Sequence, residues 1–220
     1  SIIVTTLAVT TMLGCIKKLE VLDENNPTTE SYFKTALELQ NGVNAVYSTL
    51  RSAQLVGREW FFTHDMRGGE CWAGGDQLEA PRAELLKQPS PAPSNSVMTN
   101  VWTGCYQMIN RANLVLGKAP EITDNTALRD RVVGEAKFLR AYMYFTLVKC
   151  YGGVPIVDHV PNPSSEADRI MQLTRKTKEE VYAFIEQDLT DAMAVLPQKS
   201  AYPANEKSRA SLGAAKALMA

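Results

Sequence analysis

Apolar residues recur along this chain at alternating three- and four-residue intervals, in separate stretches, and nowhere alternate long enough to make a strand. The first stretch follows Thr35 and Glu38, which have capping-box spacing; Leu39, Val43, Val46 and Leu50 then mark one helix face to about Arg51. The second carries Met98, Trp102, Cys105, Ile109, Ala112 and Leu116 on one stripe and stops before Pro120. The third begins near Asp124 or Asn125, with Val132, Ala136, Leu139, Met143, Leu147 and Cys150 on its main stripe and Phe138, Tyr142 and Phe145 on a second. A helix apolar over so much of its circumference is packed on several sides, so it is predicted to be the central element. Gly152-Gly153 suits a left-handed C-cap and Val154-Pro155 forbids continuation.

Thr177 and Glu180 form another capping box, followed by Val181, Ile185, Leu189, Ala192 and Leu196, and Pro197 ends that helix. A last helix is predicted from Ser208 onward, in "SRASLGAAKALMA". Two long connections, residues 52–95 and the run "VDHVPNPSSEADRIMQL", lack periodicity and read as irregular insertions. The expected fold is all-α: a helical-repeat array of tetratricopeptide-like character with long loop insertions. Fragments of the tetratricopeptide spacing occur at Ala192 with Pro197 and at Leu212-Gly213.

Composition narrows the function. The chain has 220 residues, 45% hydrophobic and 21% charged, which is ordinary globular material. A net charge of -1 and no basic run longer than Lys17-Lys18 argue against nucleic acid as a partner. The four cysteines, at 15, 71, 105 and 150, make no C-x-x-C pair, and His64 and His159 lie far apart, so neither a metal site nor a cofactor is expected. Cys105 and Cys150 fall on apolar helix faces and are expected to pack as small buried thiols.

Cys15 is different. The uncharged opening "SIIVTTLAVTTMLG" is too short to span a bilayer but has the length of a signal-peptide apolar region, and it ends directly before Cys15. "MLGC" resembles the lipobox of bacterial lipoproteins, with Met12 where Leu is usual. The expected organisation is a signal-peptide remnant over 1–14, a lipidated tether over 15–34 and a helical domain over 35–220. With Ser1 in place of an initiator Met and the last helix still running at Ala220, the chain reads as clipped at the front and truncated at the back. A buried N-terminal strand or helix is the competing reading of residues 1–14.

Together, several stretches resemble the SusD/RagB family of outer-membrane nutrient-uptake lipoproteins: "NPTTESYFKT" with "GVNAVYSTLR", "VWTGCYQMINRANLVL", "RVVGEAKFLRAYMYFTLVKCYGGVPIV", "TRKTKEEVYAFIEQDLTDAMAVLP" and "SRASLGAAKALMA". The resemblance implies tetratricopeptide-like helix pairs carrying glycan-binding loops, a lipid anchor at Cys15, and delivery of a captured glycan to a TonB-dependent transporter of the SusC type. It also implies that this is the N-terminal part of a longer protein. Lys17-Lys18 stand where the family usually carries acidic residues after the lipidated cysteine, so membrane anchoring is better supported than exposure on the cell surface.

Sugar recognition needs an apolar platform for the ring and planar polar groups for the hydroxyls. The first long insertion has both in "REWFFTHDMRGGECWAGGDQLE": Trp72, Asp65, Arg67, Glu70 and Asp76 are the candidate ligand-binding residues, among glycines that let a ligand approach. For Trp72 the alternative is a structural plug; Trp60 and Trp102 are read as core. Glu135 and Arg140 on the central helix read as a structural pair or a solvated edge. Two other functions compete: a helical-repeat adaptor that binds proteins, and a glycoside hydrolase using Asp65 and Glu70. The lipobox opposes the first, and loop acids alone do not establish the second. If Cys15 carries the anchor, Cys15→Ala is expected to remain unprocessed or to appear in the soluble periplasmic fraction. Wild-type levels of mature, membrane-bound protein from this variant would remove the lipidation reading.

Overall fold

Both predicted capping boxes close in the computed structural model, which describes residues 28–220 apart from 70, 73, 75–79 and 88–90. Residues 1–14, Cys15 and the tether through Pro27 therefore lie outside the described residues. The chain divides into two units, Ser1–Tyr32 and Phe33–Ala220. In the first, the described part is a single helical turn, Thr29–Tyr32, closed by the Tyr32 amide on the Thr28 carbonyl.

The second unit holds α1 (Ala36–Leu50), α2 (Glu59–Phe61), α3 (Ala80–Lys87), α4 (Ser96–Lys118), α5 (Thr126–Tyr151), α6 (Glu166–Leu173), α7 (Lys178–Val195) and α8 (Leu212–Met219). Helix α2 runs into a π-helical turn, Phe62–Met66, and no strand occurs among the described residues. At the head of α1 the Glu38 amide donates to Thr35 Oγ1 while Glu38 Oε2 accepts from the Lys34 and Thr35 amides. Those amides hold the Glu38 carboxyl below the usual range, the Lys34 contact most. The α7 box repeats the arrangement with Thr177 and Glu180.

The long helices pair side by side in opposite directions. Arg111 of α4 reaches Thr49 of α1, while Gly104, nearer the start of α4, faces Leu55 just beyond the end of α1. Tyr151, the last residue of α5, donates its hydroxyl to the Met98 carbonyl in the first turn of α4. Along α5 and α7 the partners run in opposite order: Lys137 with Asp191, Arg140 with Asp188, Tyr144 with Phe184. Two antiparallel pairs, α1–α4 and α5–α7, thus stack through α5, and α8 packs on α7 to begin a third. Close approach has a local cause at Gly134, where an added Cβ would lie 2.7 Å from a Val195 methyl.

The predicted stripe of α5, Val132, Ala136, Leu139, Met143 and Leu147, is buried, and so are Leu39, Val43, Val101, Ile109, Ile185 and Leu189 on the helices packed against it. Phe138, Tyr142 and Phe145 are only half-buried. The covered face also includes Tyr144, Val148 and two charges, Glu135 and Arg140.

These charges are neither solvated nor paired with each other. Arg140 forms a bidentate pair with Asp188 of α7, Nε to Oδ2 at 2.7 Å and Nη2 to Oδ1 at 2.8 Å. Its Nη1 donates to Asn113 Oδ1 of α4 and to the Asp158 carbonyl. Asn113 Nδ2 in turn donates to the carbonyls of Val157 and His159. Glu135 accepts from Arg209, in the connection before α8.

Three other expectations are revised. Residues 52–95 carry α2, the π-turn and α3, and the second connection carries α6; these elements are short and bury few side chains, so no long stripe announces them. The last helix starts after Ser211, not at Ser208, because Arg209 is held by Glu135 and the Ala210 amide by Tyr47 Oη. Cys105 is buried as predicted, whereas Cys150 is half-buried.

Removing one member of the buried pair strands the other charge. Asp188→Ala is expected to destabilise the fold by about 3–5 kcal/mol in denaturant unfolding, and Arg140→Met in the same chain to restore part of that loss. A cost under about 1 kcal/mol would place Arg140 in water instead.

A cleft between the helix ends and the first insertion

Because α4 begins where α5 ends, the first turns of α4 and the last turn of α5 form one wall of a cleft of about 860 Å³, within the range of small-ligand sites. Met98, Thr99 and Trp102 come from α4, Cys150 and Tyr151 from α5, and Gln172 and Leu173 from the end of α6. Gly153, Pro155 and Arg175 close one side; Pro91, Ala92, Pro93 and Arg67 close the other.

Local chemistry sets each wall. Asn95 caps α4 by accepting from the Val97 and Met98 amides, and its Nδ2 donates to the Pro81 carbonyl and to Glu84 Oε2. Glu84 also accepts from the Ala92 amide at 3.0 Å, which ties the proline-rich stretch to α3 and, with Asn95, holds its carboxyl below the usual range. Beneath lies a small apolar cluster of Leu85, Val97 and Met98 with Phe62, Cys150 and Tyr151 packed against it. Gly152 has φ of 77°, a left-handed conformation, and a Cβ on Gly153 would sit 2.0 Å from the Lys176 carbonyl oxygen, so the chain leaving α5 can lie directly against the start of α7.

Trp102 stands half-buried between Tyr106, with ring centroids 4.9 Å apart, and Tyr151, edge-on at 5.1 Å. Both phenol hydroxyls are engaged, Tyr106 with the Pro155 carbonyl and Tyr151 with that of Met98, and burial pushes both above the ordinary tyrosine value, so they stay neutral. Arg175 donates Nε to the Gly153 carbonyl and Nη2 to the Tyr151 carbonyl, both at 2.6 Å, which satisfies carbonyls left open at the end of α5.

Among the described candidate residues, Arg67 lines the cleft, and Asp65 and Trp72 do not. Asp65 is exposed on the π-turn, and Trp72 is 77% exposed, so it plugs nothing. Glu70 and Asp76 lie outside the described residues. Trp60 is half-buried, stacked on His64 at 4.2 Å and tilted toward Tyr142. The stripe assigns Trp102 to the core, yet it lines the cleft; its place beside a proline-rich loop, one turn after Met98, is the available signal. Nothing in the periodicity pointed to Gln172 or Arg175. Among the described residues no group of three or more His, Cys, Asp or Glu side chains is placed to hold a metal ion. No helix among them is long and apolar enough to cross a membrane.

Stacked helix pairs with a lateral cleft, aromatic on one wall and fringed by guanidinium groups, define a helical-repeat binding scaffold. A family profile described as "Starch-binding associating with outer membrane" matches residues 19–220, and the chain belongs to that SusD-like family. It is 30% identical over 191 residues to SusD-like protein P2 of Formosa agariphila, covering 85% of this chain and 36% of the relative. A SusD-like protein from Bacteroides fragilis superposes with a TM-score of 0.69 at 28% identity, over 90% of this chain and 36% of that one. A laminarin-binding SusD-like protein does so with a TM-score of 0.68 at 28% identity, over 84% and 39%. The chain thus spans about a third of the length of curated relatives it matches.

The cleft wall formed by α6 depends on one ring. His159 Nδ1 lies 2.6 Å from Asp158 Oδ1 and Nε2 lies 3.3 Å from Asp168 Oδ2, and both nitrogens donate only when the imidazole is protonated. The Asp158 contact, with Asp168 adding to it, raises the His159 pKa, while the Asn162 amide and Ser165 hydroxyl depress that of Asp168. A raised histidine contributes fully below its ordinary value of about 6.5 and loses that contribution as pH rises through the elevated one; the aspartate loses its own only in acid. Amide exchange in α6 is therefore expected to be slowest between those limits and to speed up above the elevated His159 pKa. NMR titration should show that pKa falling in Asp168→Asn; an unshifted His159 would mean that the ring does not tether α6.

Proposed function

We propose that this protein captures a glycan at the outer membrane and passes it to a TonB-dependent transporter of the SusC type, breaking no bond in the process. The observation that carries the reading is membership of the SusD-like family over residues 19–220, with its description naming both starch binding and the outer membrane. A laminarin-binding relative of 28% identity shares the fold that surrounds the cleft. Cys15 supplies the lipid anchor in this reading, and the helical domain faces the cell exterior.

Within this reading the ligand lies across the insertion, on Trp72 and the cleft, with Asp65, Arg67, Glu70 and Asp76 as the candidate polar contacts. An exposed indole has little to lose when truncated except a ligand. Stacking with burial of that ring contributes about 1–3 kcal/mol. In the full-length protein, Trp72→Ala is expected to weaken binding to a panel of purified polysaccharides, laminarin and starch included, by about ten-fold or more with no change in melting temperature. Trp102→Ala serves as the contrast, lowering affinity and stability together because its ring packs on Tyr106 and Tyr151. Unchanged affinity in both variants would remove this face of the protein from the binding site.

A further inference from the structure

We infer that residues 160–174, which carry α6, form a flap that folds over a ligand in the cleft, with Gln172 and Leu173 as its contacts; the inference rests on the glycan-binding reading above and names a moving part of that site. Both bases of the flap are fastened. On one side Asn113 Nδ2 donates to the carbonyls of Val157 and His159, Arg140 Nη1 donates to that of Asp158, and Tyr144 Oη accepts from the Val157 amide. On the other side Arg175 donates to the Gly153 and Tyr151 carbonyls, and the Lys176 amide donates to the Val154 carbonyl. Both bases are thus tied to the end of α5 and the chain that leaves it.

Between the bases nothing comparable holds the chain. Helix α6 has no buried residue and shares no extensive interface with another described helix. The polar contacts of the segment are mostly its own: the Asn162 amide and the Ser165 hydroxyl donate to the Asp168 carboxylate, Gln172 Nε2 donates to the Asp168 carbonyl, and Thr174 Oγ1 donates to that of Ile170. Among the described residues, the contact between His159 Nε2 and Asp168 Oδ2 at 3.3 Å is the polar clasp that joins α6 to a base. A surface segment with fixed ends and a self-contained body swings at little cost, because moving it breaks few contacts with the rest of the fold. Lids that close over a bound ligand are built this way.

The end of α6 indicates what the flap closes on. Leu173 lines the cleft although it is 83% exposed, so its apolar surface is covered when a ligand fills the space beside it. Next to it, Gln172 uses Nε2 on its own helix and keeps its side-chain carbonyl as an acceptor for a sugar hydroxyl. Trp102 and Tyr151 give the same cleft an aromatic wall on the helix ends. A sugar ring resting on that wall has one face covered by it, and closure of the flap brings Leu173 onto the ring and excludes water from the contact.

Hydrogen exchange and calorimetry of the full-length protein test this, with laminarin, starch, xylan and polygalacturonate as probes. In the free protein the amides of α6 should exchange about 100-fold faster than those of α5, or more. Saturation with the polysaccharide that binds best should then slow the α6 amides about ten-fold or more. Leu173→Ser should weaken that binding about five-fold or more, chiefly through faster dissociation, at unchanged melting temperature because the side chain is exposed in the free protein. His159→Ala, which opens the clasp, should speed exchange in α6 and leave α5 as it is. A bound polysaccharide that does not alter exchange in α6, together with wild-type affinity of Leu173→Ser, overturns the flap and leaves glycan capture standing. Failure of the unaltered protein to bind any glycan overturns both.

Discussion

The contact on which the rest of this structure depends is the bidentate pair between Arg140 and Asp188. It joins the central helix to α7, and through Asn113 and the carbonyls of Val157, Asp158 and His159 it also fixes α4 and the chain that leaves α5. Two charges buried this far are expensive to desolvate, and an apolar pair of the same size packs at least as favourably. An apolar pair, however, cannot reach carbonyl oxygens. Here the guanidinium and amide satisfy three such groups on a segment with no regular structure, which holds that segment against the helices.

The cleft follows from that anchorage. With residues 154–159 fastened to the interior, Gly152 and Gly153 complete a tight exit from α5, Tyr106 and Tyr144 hydrogen-bond the departing backbone, and Arg175 closes the remaining carbonyls. One wall is therefore rigid and built from the ends of long helices. The opposite wall is a loop, held by Glu84, Asn95 and the small cluster around Leu85. A rigid helical wall facing a loop wall is how a repeat scaffold varies its ligand without altering its core.

The family relation and the lining of the cleft bear on different questions. Belonging to the SusD-like family accounts for the helix pairs and the apolar stripes. It does not fix the lining of the cleft, which comes mostly from connections and helix ends. Arg67 and Arg175 are such residues, and so is Leu173, 83% exposed at the tip of α6, a helix that buries nothing of its own.

Much of the fold was legible in the order of residues. The capping boxes at Thr35 and Thr177, the apolar stripes of α1, α4, α5 and α7, and the glycine pair after α5 each depend on neighbours within a turn or two, and such local rules act before any tertiary contact forms. The resemblance of those same stretches carried the family as well. Arg140 and Glu135 looked alike in sequence, two charges on an apolar helix, and only the approach of α7 and of the segment before α8 gave them Asp188 and Arg209 as partners. Trp102 shared a stripe with Cys105 and Ile109, yet it is only half-buried and lines the cleft. Periodicity reports which face of a helix is covered on average; where the cover stops depends on the neighbouring chain ends, and those are set by contacts between residues far apart in sequence.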